Sequence, residues 1–389
     1  MPNLLARMIT GLVAAVFLSL PAHAFETQAR AAYVVDYNTG TVLLAKNADT
    51  PLPPASMSKL MTLYVAFEAI RDGRLSVSEK LPVSQHAMNY GGSTLFLKAG
   101  ERVSVEDLLR GIIVLSGNDA CAVIAEALSP DGTELGFARF MTQRARQLGM
   151  TNSTFVNSNG WPADGHRMSM RDLALLANRI ITDFPDFYPM FAEKEFLFDE
   201  NESQNRYNRN PLLGLAIGAD GLKTGHTQEA GYGLVGSAVQ NGRRVIFVVS
   251  GLSTAQARAR EAEAIVNWAF RQFAQKTVIE KGKVLAEADV WMGDAPTVGL
   301  VTAEDVSTLV PLTAGGKVEA ELIYDNPVNA PIRQGAPLAE LILKPDGLEE
   351  LRVPLVAASD VGRGGFMVRM KTVSGILLKR LNEGPEGAS

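Results

Sequence analysis

The sequence predicts an α+β fold: an antiparallel sheet flanked by helices, then a small all-β domain and a C-terminal amphipathic helix. Two observations carry this. Strand patterns stand at both ends of the region up to Lys276, with a largely helical stretch between them. Beyond Lys276 the chain breaks into short β-rich runs separated by Gly, Pro and Asp-Gly turns.

Taken in order, residues 1–24 have the form of a secretory signal. Arg7 supplies the positive start, residues 8–20 a short apolar run and Ala22-His23-Ala24 a small-x-small cleavage site, so the mature chain is expected to begin at Phe25. The apolar run is shorter than the roughly 18 residues a spanning helix needs. Residues 32–36 and 42–46, flanking Tyr37-Asn38-Thr39-Gly40, predict a hairpin. Pro53 and Pro54 then halt the chain. Leu60, Met61, Leu63, Tyr64, Phe67, Ala69 and Ile70 predict a buried helix that starts at Ser56 and stops at Gly73.

Helical patterns follow over 105–128, interrupted at Ser116-Gly117-Asn118, and over 136–148 and 170–181. Residues 232–239 and 243–250 form a second hairpin around Asn241-Gly242, a strong turn signal. A long helix is expected from about Ala255 to Gln275, with Ile265, Trp268, Ala269 and Phe273 on one face. Runs at 290–292, 318–324, 338–343 and 351–356 assign 277–360 to a separate β domain, leaving 25–276 as the larger unit. In 361–389, Phe366, Met370, Val373, Leu377 and Leu381 make one apolar stripe, while 363–380 holds five basic residues and no acidic one. Such a helix is too short and too charged to span a bilayer, but it suits the surface of an anionic membrane.

The formal net charge of -5 gives no sign of a nucleic-acid partner. The lone Cys121 lies in an apolar helical run and is expected as a buried structural thiol. His23, His86, His166 and His226 show no zinc-like spacing, so neither metal nor cofactor is expected.

Three short motifs carry chemistry. Ser56-Met57-Ser58-Lys59 puts an amine one helical turn from a hydroxyl at a helix start, where free backbone N-H groups are available to a developing oxyanion. A serine needs a neighbour to take its proton, and a lysine does so only when burial or another cation lowers its pKa. Alone the motif decides little, since a Ser-x-x-Lys arises by chance about once in a chain this long. Ser116-Gly117-Asn118 adds a hydroxyl and an amide on an interhelical loop. Lys223-Thr224-Gly225 adds a cation before the second hairpin, on an edge strand. The order and setting of the three carry the weight.

With these motifs and the stretches LSGNDAC (115–121), MRDLAL (170–175), DGLKTGHTQEAGY (220–232), REAE (260–263) and VWMGD (290–294), the chain resembles the low-molecular-mass penicillin-binding proteins. Among these it is similar to the D-alanyl-D-alanine carboxypeptidases of the penicillin-binding protein 5 type. The likeness runs from Ala32 to the C-terminus and implies a β-lactamase/transpeptidase-like catalytic domain followed by a β-rich one. It implies Ser56 as the acylated nucleophile, Lys59 as its base, Ser116 as a proton relay and Asn118 as a partner of the substrate amide. Lys223 would keep the cluster cationic and depress the pKa of Lys59. The N-H groups of Ser56 and His226 would form the oxyanion hole beside Gly225, while Thr224 and Arg260 would bind the substrate's terminal carboxylate. Asp172 and Arg209 match a pair that positions a nearby loop.

The implied reaction removes the terminal D-alanine from a peptidoglycan pentapeptide through an acyl-serine, with β-lactams as covalent inhibitors. The implied location is periplasmic, with the tail held on the outer face of the cytoplasmic membrane. A class A β-lactamase would carry a Glu-x-x-Leu-Asn base between Asn118 and Lys223, and none occurs there. An endopeptidase on the same fold and a non-catalytic penicillin or peptidoglycan binder are the remaining alternatives.

Overall fold

The computed structural model describes residues 25–312, 318–345, 347–366 and 370. The expected signal and most of the amphipathic tail lie outside the described residues. No helix among the described residues is long and apolar enough to cross a membrane.

The chain opens with strands β1 (Ala31–Asp36) and β2 (Val42–Lys46) and the 3-10 turn Ala55–Ser58, which leads into α1 (Lys59–Arg71). The predicted helix start at Ser56 is thus a tighter turn, and the α-helix proper begins at Lys59. Next come β3 (Lys80–Pro82), α2 (Gln85–Met88), β4 (Arg102–Ser104) and α3 (Val105–Arg110). A π-helical turn, Gly111–Leu115, precedes α4 (Asn118–Leu128), α5 (Glu134–Gln147) and α6 (Met170–Asp183). Strands β5 (Ala219–Thr227), β6 (Gly231–Gln240) and β7 (Arg243–Leu252) then lead to α7 (Ala255–Gln272).

The five long strands make one antiparallel sheet in the order β2-β1-β7-β6-β5, so first and last segments meet at its centre and β5 is an edge. Successive strand residues face opposite sides. Tyr33, Ile246 and Val248 therefore pack into the large core with α1, α4, α5 and α6, whereas Val34, Phe247 and Val249 pack against Ala262, Ile265 and Ala269 of α7. The β6-β7 turn uses Asn241 and Gly242, both at positive φ (52° and 78°). This is the backbone that an Asn-Gly pair favours.

Helix starts follow their caps. Ser84, Ser104, Thr133, Ser169 and Thr254 each accept a hydrogen bond from the N-H three residues on. Each such cap contributes about 1 kcal/mol. At the start of β7, buried Asp36 of β1 pairs with Arg243 at 2.6 Å, and Arg243 also donates to the carbonyls of Ala269 and Phe273.

The rest is β structure: β8 (Phe273–Ile279), β9 (Ala286–Trp291), β10 (Thr297–Thr302), β11 (Val306–Pro311), β12 (Val318–Tyr324), β13 (Val328–Asn329), β14 (Pro337–Pro345) and β15 (Leu351–Ala357). A six-stranded sheet, β12-β14-β15-β10-β9-β13, and the β11-β8 pair enclose their own core of Leu300, Leu341, Leu343 and Leu355. The helix expected to reach Gln275 stops at Gln272, because residues from Phe273 onward pair with β11. The expected boundary at 276/277 falls within β8.

Candidate active site

The nucleophile turn is placed by close approach. Gly225 of β5 leaves so little room that a Cβ there would lie 3.0 Å from the Pro54 carbonyl and 3.1 Å from the Met57 nitrogen. The edge of β5 thus runs directly against the Ser56 turn. Ala55, just before Ser56, holds φ at 48°, a left-handed conformation uncommon for a residue with a side chain.

Lys59 is fully buried, and its Nζ lies 2.8 Å from Ser56 Oγ, 2.7 Å from Asn118 Oδ1 and 2.7 Å from the Asn159 carbonyl. The Asn118 amide is fixed by its other end, where Nδ2 donates to the Gly91 carbonyl at 2.8 Å. Two of the three partners of Lys59 are thus oxygens that only accept. A neutral amine has two N-H groups and one lone pair, so donating to both carbonyl-type oxygens turns the lone pair toward Ser56. Burial, and next among the lowering influences the Arg209 charge, brings the Lys59 pKa down to about 8.

The second amine, Lys223, is also buried and donates to Ser116 Oγ at 2.9 Å. Its pKa lies well below the ordinary value, first through burial and then through Lys59, Arg209 and Arg258. The two amines repel each other, so a charge on either one disfavours a charge on the other. Ser116 reaches Lys223 from a left-handed backbone (φ 64°) where the π-helical turn meets α4.

Ser56, Lys59, Ser116, Asn118, Lys223, Thr224 and Gly225 are thus brought together. The His226 side chain is exposed and stacks on Tyr232 at 3.8 Å, which leaves only its backbone available to an oxyanion. Arg260 is not brought in. It is exposed on α7, whereas Arg258, two residues earlier, is buried, lies over the Tyr232 ring and donates to the Arg209 carbonyl at 3.3 Å. Two residues along a helix turn about 200°, so only one of the pair can face the cluster. Among the described residues Arg258 has no carboxylate partner, and its buried Nε has no hydrogen bond.

Asp172 and Arg209 are not paired either. Asp172 accepts from Ser153 Oγ and the Asn152 N-H at the start of α6, while Arg209 donates to Ser93 Oγ and lends its charge to the lysine cluster. Sequence reasoning missed two contributors. Asn159 acts through a carbonyl, which carries no residue signature. Arg258 had one: it shares the buried stripe of Glu261, Ala262, Ile265 and Ala269.

Cys121 is buried, with its thiol pushed up to about 12 chiefly by desolvation, which suits a structural role. Among the described residues no group of His, Cys, Asp and Glu could hold a metal.

Residues 19–254 match the family model described as D-alanyl-D-alanine carboxypeptidase, and 273–363 match that of the penicillin-binding protein 5 C-terminal domain. The chain is 36% identical over 350 residues to D-alanyl-D-alanine carboxypeptidase DacC of Escherichia coli (strain K12), covering 88% of this chain and 86% of that one. The structure of penicillin binding protein 5 from Haemophilus influenzae is similar with a TM-score of 0.76 at 33% identity, over 87% of this chain and 99% of that one. Penicillin-Binding Protein D2 from Listeria monocytogenes, in its ampicillin-bound form, is similar with a TM-score of 0.57 at 33% identity, over 63% and 99%. The Ser-Lys pair with its buried amine, the second lysine on an edge strand and the trailing β domain therefore belong to a member of the D-alanyl-D-alanine carboxypeptidase family, a serine-type hydrolase with a penicillin-binding protein 5 C-terminal domain.

Proposed function

We propose that Ser56 is the nucleophile, Lys59 its base and Arg258 the residue that selects the substrate's terminal carboxylate. The observation that carries this is the 2.8 Å contact between Ser56 Oγ and the buried Lys59 Nζ. Lys59 takes the hydroxyl proton as Ser56 attacks the carbonyl of the penultimate D-alanine. The N-H groups of Ser56 and His226 receive the oxyanion, and Ser116, held by Lys223, passes a proton to the departing D-alanine. Water then hydrolyses the ester. A β-lactam acylates the same serine.

The carboxylate end is supported by charge. Lys223 and Arg258 are buried, Arg209 lies more openly beside them, and desolvation is the first cause lowering the pKa of all three. An incoming carboxylate therefore meets cations that have given up part of their water. The test is D-alanine release from diacetyl-Lys-D-Ala-D-Ala by residues 25–389. Ser56→Ala should abolish both release and covalent penicillin labelling. Ser58 is no substitute, because it is buried and bonded to His166 Nε2 at 2.7 Å. Labelling that survives in Ser56→Ala and vanishes in Ser58→Ala overturns the assignment.

The proposed setting is the periplasm, with the basic, apolar-striped tail lying on the outer face of the cytoplasmic membrane. The protein from Phe25 onward should sediment with anionic vesicles at low salt, while a version stopped at Asp360 stays in solution with full activity. Equal partitioning removes the anchor.

A further inference from the structure

We infer that Glu134 is a positioning residue for the base, acting through the loop that holds Lys59. This role rests on Lys59 serving as that base. The Asn159 carbonyl takes one Lys59 N-H, and its neighbour, the Ser158 carbonyl, accepts from Thr62 Oγ1, one turn further along α1. Residues 158 and 159 therefore clasp α1 at two successive turns. That segment is irregular backbone and needs its own support.

Glu134 supplies it. Oε1 accepts from the Ser158 N-H at 2.9 Å and from Ser158 Oγ, while Oε2 accepts from Tyr90 Oη at 2.6 Å and His86 Nε2 at 2.7 Å. One carboxylate, 8% exposed, thus gathers α5, the loop under Lys59, α2 and Tyr90 around a single point. It touches neither Ser56 nor the place of a substrate. A carboxylate with four donors is tightly held, so the loop it fixes is stiff where Lys59 needs it.

The charge has a second effect. Glu134 raises the Lys59 pKa, as does Asp119 of α4, against the lowering by burial and Arg209. Lys223 of β5 and His166 also face the amine, and each has its own pKa lowered by it. Position and basicity can therefore be separated by two substitutions. Glu134→Gln keeps an acceptor for Ser158 but loses the charge. Glu134→Ala loses both.

The test uses residues 25–389, with pH profiles of kcat/KM for D-alanine release and rates of acylation by a fluorescent penicillin. Glu134→Ala should lose about tenfold or more in kcat and in acylation rate with KM little changed, as a base moved by a fraction of an ångström would. Glu134→Gln should keep most of kcat while the acid limb moves to lower pH, since a less basic amine stays neutral further down. Wild-type acylation in a folded Ala variant overturns the inference. If the Ala variant does not fold, Glu134→Asp, which keeps the charge but shortens the reach to Ser158, decides in its place, and wild-type acylation there overturns the inference. Lys59→Gln, run alongside, reports on the base itself: turnover retained there removes Lys59 from its role, whatever Glu134 does.

Discussion

Lysines are treated in opposite ways by the two halves of the molecule. In the β-rich half Lys344 sits on the surface beside Glu321 at 2.7 Å, and Lys281 beside Glu304 at 3.2 Å, each with its charge in water. In the catalytic half Lys59 and Lys223 are buried, without an ion pair among the described residues, and Arg258 nearby is in the same condition. Surface pairs of the first kind contribute little to stability, whereas uncompensated buried cations oppose it. The difference teaches where function sits: the region that gives up stability for charge is the one proposed to attract an anion and deprotonate a serine.

The largest effect that sharpens this contrast is expected of Lys59→Met. D-alanine release should fall by roughly three orders of magnitude or more, because base and nucleophile act as one unit. Stability should move the other way at neutral pH. The folded-state pKa of Lys59, about 8, lies below its ordinary 10.5, so between these values the unfolded chain binds more protons. Wild-type stability therefore rises with pH across that window, and below it the full destabilisation is present. Urea midpoints at pH 7, 8 and 10 should show a higher value at pH 7 for Lys59→Met and a shallower rise than wild type. A lower midpoint and an unchanged slope would mean that the buried amine is not under strain.

A smaller effect separates the two arginines of α7. Arg258→Ala should cost about 2 to 4 kcal/mol of transition-state stabilisation on a carboxylate-ended peptide and little on its amide, measured as the ratio of kcat/KM values. Arg260→Ala should leave both near wild type. The reverse pattern would break the assignment. Least of all is expected from Lys344→Ala, which should shift neither the urea midpoint nor D-alanine release; a clear loss of either would show that the β-rich half depends on its surface charges.

Much of this is legible in the order of the residues. Strands at the two ends of the catalytic region announce themselves by their apolar runs and by Asn241-Gly242, and three motifs with fixed chemistry name most of the site. What stays hidden depends on phase and on distant pairing. Arg260 stands out because it opens the REAE stretch, but the side of α7 that faces the sheet is set by the Thr254 cap and the Ile265 stripe, and that phase selects Arg258. Phe273 continues a helical pattern locally, and only β11, more than thirty residues away, makes it a strand. Asp172 and Arg209 are linked by resemblance, yet each finds a nearer partner. The support under Lys59 comes from the Asn159 carbonyl, which every residue type possesses.

Gly160 follows the Asn159 carbonyl at φ 82°, and a Cβ there would stand 1.9 Å from the Ala55 carbonyl, one residue before the nucleophile. No side chain fits without pushing the Ser56 turn aside. A side chain at this one position would shift the proposed nucleophile along with the wall of the site, so the cleft can be narrowed without moving Ser56 only by changes at positions other than Gly160.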